Sequence, residues 1–182
     1  MAPPRFVPDV PFPPYTFVPG RAPHPVRDPA GHLFGKQPEP PPPLAPDHWH
    51  DSRAYLRGVD LFNHGYYWEA HEVWEGLWNV AGRSGITADF LKGLIKLAAA
   101  GVKVRQGQPR GVASHAIGAA SLFRDIAGQL GGEEKSYLGL RLRELLDFAR
   151  QIEERSSLAL PEWDEGVQTI FEFVLCPLSN DR

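Results

Sequence analysis

The stretch "GYYWEAHEVWEGLW", residues 65–78, constrains how the fold can be built. When its residues are placed at intervals of about 100° around a helix, the apolar side chains share a stripe of roughly 140°, as in a helix with one buried face. This stripe contains Tyr66, Tyr67, Ala70, Val73, Trp74, Leu77 and Trp78. The stretch therefore predicts an amphipathic helix that packs on a core through its aromatic side chains.

Similar patterns predict four further helices. Apolar side chains recur at helical spacing over residues 54–65, 87–107, 109–130 and 137–153. Residues 158–175 combine turn and strand-like residues, and they predict either a short helix or an extended tail packed on the bundle. The predicted fold class is all-α, a compact bundle of about five helices in a helical domain over residues 47–182.

The first 46 residues contain sixteen of the nineteen prolines in the chain. Proline fixes φ and lacks a backbone donor, so residues 1–46 predict a proline-rich extended N-terminal arm rather than a helix or a central strand. The arm also contains more aromatic side chains than disordered linkers usually have. They are Phe6, Phe12, Tyr15, Phe17 and Phe34. We therefore expect part of the arm to lie along the helical domain.

Composition narrows the class of protein. The 182 residues suffice for one domain with a core, and the net charge of −3 argues against nucleic acid as the main partner. The single cysteine, Cys176, cannot form an internal disulfide, so a cytoplasmic location is expected. No apolar run approaches the ~18 residues of a membrane span, and the N-terminus lacks the apolar region of a signal peptide. We expect no membrane association.

The polar side chains of the opening stretch define a candidate site. His71 and Glu75 lie four residues apart at the edge of the apolar stripe, and Glu72 lies three residues before Glu75, so these side chains can meet. His115 falls on the apolar side of its own helix, where a buried imidazole needs a polar partner. The candidate polar cluster consists of Glu69, His71, Glu72, Glu75 and His115.

Metal binding is one interpretation of this cluster. Imidazole and carboxylate groups bind divalent metals, so His71 and Glu75 are the candidate ligands and a divalent metal is the candidate cofactor. A zincin pattern would require a second histidine where Glu75 stands, and a ferritin-like centre would require a second Glu-x-x-His run. The alternative is a hydrogen-bonded cluster that only specifies packing. A sealed cluster would favour the architectural role, and an open one would favour a site.

The aromatic side chains form a candidate wall beside this cluster: Tyr67, Trp68, Trp74 and Trp78. Trp68 differs from the others because it falls on the outer side of the helix. An outward tryptophan should be covered, either by the proline-rich arm or by a second subunit in a homodimer. We expect the arm to cover it.

Two segments resemble a known family, the domain of unknown function 309. They are "EAHEVWEGLW", residues 69–78, and "FLKGLIKLAAAGVKVRQGQPRGV", residues 90–112. The resemblance extends over about residues 55–130, and it implies a compact all-helical domain without an established reaction. Many family members have an aromatic–histidine pair where this chain has Val102 and Lys103, which counts against a metal ligand from that turn. The family's signature positions correspond to Glu69, His71, Glu72, Glu75, Trp78, Gly93, Leu94, Ile95 and Gly107.

Three functions remain open at this point. The leading hypothesis is a binding or structural module whose partner is an unknown small ligand or protein. The second is a metal-dependent hydrolase that uses His71 and Glu75, with His115 or Glu72 as a further ligand. The third is weak polyanion binding through a basic helix face. That face would contain Lys92, Lys96, Lys103, Arg105 and Arg110.

Overall fold

A computed structural model describes residues 2–37, 39–156 and 166–178 of the chain. These residues form five α-helices, one short 3-10 helix and one two-stranded antiparallel sheet. The 3-10 helix spans Pro46–Asp51, and the sheet pairs β1, Ser136–Tyr137, with β2, Leu140–Arg141. The α-helices are α1, Arg53–Asn63; α2, Tyr67–Val80; α3, Ile86–Arg105; α4, Pro109–Leu130; and α5, Leu142–Arg155. The prediction of an all-α bundle is confirmed.

Each α-helix packs mainly against the next one along the chain, so α3 is flanked by α2 on one side and by α4 on the other. Short connections between packed helices favour this up-and-down order. The largest fully buried side chains are aromatic and come from four helices: Tyr55, Phe62, Tyr67, Trp74, Phe90 and Phe123. None of these described helices combines bilayer-spanning length with the necessary apolar character.

Two glycines of α3 let aromatic rings contact its backbone. A Cβ added at Gly93 would lie 2.5 Å from Cε1 of Phe123, and one added at Gly101 would lie 2.6 Å from Cγ of Tyr67. Real Cβ atoms do not approach carbon this closely, so larger residues would push the helices apart. Gly93, one of the signature positions, therefore allows Phe123 to pack directly against the backbone of α3.

The helix predicted over residues 137–153 begins later than expected, at Leu142. A two-residue turn, in which Leu138 and Gly139 both have positive φ, connects β1 to β2 immediately before α5. Positive φ at both central residues is the geometry of a tight hairpin turn and is incompatible with a right-handed helix. Leu138 fitted the apolar periodicity because its side chain is buried in the core. It reaches the core from the turn, however, and not from a helix.

Residues 166–178 form an extended tail, which is one of the two structures predicted for the C-terminal segment. The other residues of that segment, up to residue 165, lie outside the described residues. The Asn63 side chain makes two hydrogen bonds to the backbone of Leu175 in the tail. Its Nδ2 donates to the Leu175 carbonyl at 2.8 Å, and its Oδ1 accepts from the Leu175 N–H at 2.8 Å. The hydroxyl of Tyr67 accepts a hydrogen bond from the Ile170 N–H at 3.0 Å. The tail therefore completes the core beside α1 and α2.

The N-terminal arm lies against α1 and α2, as expected from its aromatic content. Val7, Phe17 and Val18 of the arm are buried. Asp60 of α1, which is itself fully buried, accepts hydrogen bonds from the backbone N–H groups of Phe6 at 2.7 Å and Val7 at 2.9 Å. Most backbone hydrogen bonds within the arm belong to turns, and side chains of the helical domain satisfy further backbone groups of the arm and hold it in place.

Candidate functional site

The buried face of α2 anchors the helix that carries the polar cluster. Tyr67, Ala70, Trp74 and Leu77 are at most 2% exposed, and the indole N–H of Trp74 donates to the Tyr55 carbonyl at 3.3 Å. Residues one or two positions away from these anchors project along the edges of the helix. The aromatic wall is therefore divided, because Tyr67 and Trp74 belong to the core whereas Trp68 and Trp78 lie half-buried at its margins.

His71, Glu72 and Glu75 converge on one edge of α2. One ligand atom from each of the three side chains lies within 4.8 Å of the other two. His71 Nδ1 and Glu72 Oε1 lie 3.3 Å apart, and the side chains of these residues are 28% and 43% exposed. The cluster is therefore open to solvent and is not sealed by the aromatic side chains.

The imidazole of His71 has an unusual environment. Its Nδ1 atom is inaccessible to solvent and makes no hydrogen bond to any atom of the described residues. The nearby Glu72 oxygen is close enough for an ion pair but does not have hydrogen-bond geometry. A buried nitrogen next to two carboxylates, without a hydrogen bond, is suited to accept a cation between itself and those oxygens.

His115 of α4 lies near this cluster without being part of the three-residue group. Burial lowers its pKa, and the charges of Lys96, Lys103 and His71 lower it further. Two glycines on the same side of α4, Gly111 and Gly118, give room to the lysine stems, since an added Cβ there would lie 3.0 Å from Lys103 Cδ and 2.9 Å from Lys96 Nζ. The result is a half-buried imidazole whose pKa lies below its ordinary value, near enough to His71 to be affected by its charge.

Comparison with known families matches residues 55–115 to the model described as a domain of unknown function, DUF309. This segment is similar to the DUF309 family and makes up about a third of the chain. The matched segment runs from α1 to His115 in α4 and contains the whole polar cluster, although it ends earlier than the extent to about residue 130 expected from the sequence. A search of curated proteins finds no match to the chain.

Glu69, which lies within the matched segment, points away from the other members of the predicted cluster. It is 6% exposed and accepts hydrogen bonds from the hydroxyl of Thr16 and the backbone N–H of Phe17, both at 2.7 Å. Burial raises the pKa of Glu69 to about 7, while these hydrogen bonds act in the opposite direction. The carboxyl group holds the N-terminal arm and does not face His71 across the helix.

The arm also covers Trp68, as expected. The Trp68 ring lies edge-on to Phe17, with ring centroids 5.1 Å apart, and edge-on to His24 at 5.5 Å. Trp68 therefore needs no second subunit to cover it. Trp78, on the other margin of the helix, lies under the side chains of Arg83 and Lys92.

The basic face differs in one residue from the set predicted for it. Arg105 is 7% exposed and lies inside the domain, where its Nη2 donates to the Gly166 carbonyl at 3.0 Å. The assignment of Arg105 to an outer basic face was therefore wrong; the residue closes the end of α3 against the C-terminal tail. Lys103 donates to the side chains of Gln106 and Gln108, both at 2.9 Å, which holds its ammonium group beside the α3–α4 connection.

Sequence reasoning did not identify two sets of polar residues, one buried and one clustered at the surface. Asp60 and Asn63 interrupt an apolar run of α1, and a charged or amide side chain within such a run signals a specific partner. A second group, His48, His50 and Asp51, stands in the short pattern H-x-H-D and brings three potential metal ligands within 4.8 Å of one another. Both signals were present in the sequence.

Proposed function

We propose that this DUF309 domain binds a divalent transition-metal ion through His71, Glu72 and Glu75. The observation that carries the proposal is the convergence of one ligand atom from each residue within 4.8 Å. The buried Nδ1 of His71, which makes no hydrogen bond to the described residues, supports it. The domain would then be a binding module, as in the leading hypothesis from the sequence, but with the metal ligands of the second hypothesis.

The chemistry of the three side chains suits such an ion. One imidazole and two carboxylates are a ligand set that zinc, iron and manganese accept. Three ligands from the protein leave further coordination positions for water or for a small ligand. The charge of His71 contributes to the lowered pKa of His115. In its unprotonated form, His115 could accept a hydrogen bond or a proton from a molecule bound beside the ion.

The architectural role, which was the alternative for this cluster, is better assigned to other polar groups. Asp60, Asn63 and Glu69 are at most 6% exposed and each is hydrogen-bonded to the backbone of the arm or the tail. His71 and Glu72 are much more exposed. Removing a partly exposed side chain should leave the core intact, so loss of metal binding and loss of folding can be separated by experiment.

Thermal unfolding with and without metal tests the proposal. Full-length protein without an affinity tag should be purified, freed of metal and titrated with Zn²⁺, Mn²⁺ or Fe²⁺. An ion that binds only the folded protein raises the melting temperature. At a free ion concentration a hundred times Kd, the added free energy of unfolding is about 2.7 kcal/mol. We expect this increase in the wild type and its loss in His71→Ala and Glu75→Gln.

A matched control is Glu154→Gln, because Glu154 is an exposed glutamate of α5 outside the cluster. It should respond to metal as the wild type does. An identical metal-induced increase in His71→Ala and in the wild type would overturn the proposed site, and so would the absence of any increase in the wild type. A large fall of the melting temperature in metal-free His71→Ala would instead support the purely structural role.

A further inference from the structure

A second group of potential metal ligands lies on the 3-10 helix, away from α2. His48, His50 and Asp51 each offer one ligand atom, and these atoms lie within 4.8 Å of one another. Asp51 stands between the two imidazoles: one carboxylate oxygen is 3.7 Å from His48 Nδ1, and the other is 3.6 Å from His50 Nε2. All three residues are exposed, so the group can be reached from solvent.

The backbone brings these side chains together. In a 3-10 helix, residues three apart are eclipsed, which places His48 directly above Asp51. At His48 the backbone leaves helical geometry, with φ −123° and ψ 30°. The rings of His48 and His50, two residues apart, accordingly lie with their centroids 6.0 Å apart. Two imidazoles and a carboxylate thus face a common point within one short turn.

Trp49, between the two histidines, holds this turn in place. It is 6% exposed and packs edge-on against Tyr55 with ring centroids 6.2 Å apart. Its ring also contacts the β1–β2 turn, where a Cβ added at Gly139 would lie 2.5 Å from Trp49 Cζ2. A buried anchor next to each histidine reduces the entropy that the ligands lose when they bind an ion.

We infer that His48, His50 and Asp51 form a surface site for a divalent transition-metal ion of the zinc, nickel or copper type. Ligand atoms on a tetrahedral ion lie roughly 3.3 Å apart, because each bond is about 2.0–2.1 Å long. One ligand atom from each of the three residues lies within 4.8 Å of the others, and each imidazole lies 3.6 or 3.7 Å from a different oxygen of Asp51, so rotations of these exposed side chains would bring the atoms to that spacing. Imidazole ligands select these ions over magnesium and calcium. The site is separate from the one proposed at His71.

The surroundings leave room for further ligands of the ion. His48 and Asp51 line a cavity of about 340 Å³ together with Pro42, Pro43 and Ser52. An ion with three protein ligands could therefore keep bound water, or accept a polar group from a second molecule. Neighbouring Arg53 is already paired with Asp9, at 2.5 Å between Nη2 and Oδ2, and this pairing partly offsets its charge near the site.

Direct binding is the appropriate measurement for this site. Its three ligands lie within four consecutive residues, so the unfolded chain keeps them close together and can also bind the ion, which reduces any thermal shift. Calorimetric titration of the untagged full-length protein with Zn²⁺ or Ni²⁺ should be compared with His48→Ala/His50→Ala and Asp51→Asn. Removing a residue that only hydrogen-bonds to a metal ligand typically weakens metal binding by about 10–100-fold. Removing the ligands themselves should weaken binding at this site by at least as much.

Copper distinguishes the two sites further. The electron paramagnetic resonance spectrum of bound Cu²⁺ should show coupling to two imidazole nitrogens in the wild type, because only this group has two histidines. The signal should persist in His71→Ala and disappear in His48→Ala/His50→Ala. Asp47→Asn, an exposed change in the same 3-10 helix, is the matched control for Asp51→Asn.

The outcomes separate this inference from the function proposed above. Loss of one binding equivalent in His48→Ala/His50→Ala, with retention in His71→Ala, supports the surface site whatever happens at α2. Unchanged stoichiometry and an unchanged copper spectrum in His48→Ala/His50→Ala would overturn it.

Discussion

Glu69 illustrates how burial alters a single carboxyl group. It shares α2 with Glu72 and Glu75, yet it alone among the three is buried and bound to the arm. Burial disfavours the charged form, which is why its pKa rises from 4.5 to about 7. Thr16 and Phe17 offset part of this cost by donating hydrogen bonds.

The free energy of unfolding should therefore depend on pH through Glu69. The folded pKa of about 7 exceeds the reference value of 4.5, so its favourable contribution is complete below about pH 4.5 and is lost as pH rises toward 7. The shift corresponds to roughly 3 kcal/mol at most. Between about pH 8 and about pH 5, urea denaturation should show the wild type gaining stability relative to Glu69→Gln.

Glu154→Gln is again the control, since its side chain is exposed and lies on α5, outside the contact between α2 and the arm. Its stability should follow that of the wild type across the same range. If the wild type and Glu69→Gln instead change in parallel with pH, Glu69 does not titrate in this window.

At the scale of an element, α3 shows why a helix can require glycine inside it. Glycine disfavours helix formation by about 1 kcal/mol relative to alanine. At Gly93, however, the ring of Phe123 occupies the space that a Cβ would need. The gain from close packing of α3 on α4 outweighs the cost in helix propensity.

Gly93→Ala should therefore destabilise the domain despite its better helix propensity. Overpacking of a tight core contact usually costs about 1–3 kcal/mol. The matched control is Gly128→Ala in α4, where an added Cβ has no neighbour within 4 Å; it should be neutral or stabilising by up to about 1 kcal/mol. Chemical denaturation of both variants would measure this, and equal stability of the two would contradict the packing argument.

At the scale of the whole molecule, the N-terminal arm and the C-terminal tail both pack against the helical bundle. The arm is held by Asp60 and Glu69, and the tail is held by Asn63 and Tyr67. All four side chains belong to α1 and α2. These helices therefore organise both ends of the chain as well as carrying the candidate site.

Asp60→Ala should release the beginning of the arm. The change leaves the backbone N–H groups of Phe6 and Val7 without their acceptor and removes an ion pair with Arg5, whose Nε is 3.7 Å from Oδ2. We expect a loss of roughly 2–4 kcal/mol and faster trypsin cleavage after Arg5. Limited proteolysis followed by mass spectrometry would locate the cut.

Asp147→Ala is the control for that change, because Asp147 pairs with Arg150 on the exposed surface of α5. Its cleavage pattern should match the wild type. Equal cleavage rates after Arg5 in Asp60→Ala and the wild type would show that Asp60 does not hold the arm.

Much of the fold could be predicted from the sequence because its causes are local. Helical periodicity located α1 to α4 closely, and proline content predicted an extended arm. The start of α5 was misplaced because the periodicity of leucines does not reveal that Leu138 and Gly139 adopt positive φ. For the candidate site, spacing predicted that His71, Glu72 and Glu75 could meet, since all three lie on one helix.

The sequence by itself determined the all-α class, predicted a proline-rich arm beside the helices, and revealed the similarity of residues 55–115 to DUF309, because these depend on backbone constraints and on patterns within single segments. Only the tertiary structure decided that Glu69 holds the arm while His71 stays partly open, and that Arg105 is buried against the tail. The physical reason is that desolvation and hydrogen bonding depend on which surfaces meet, and distant parts of the chain supply those surfaces.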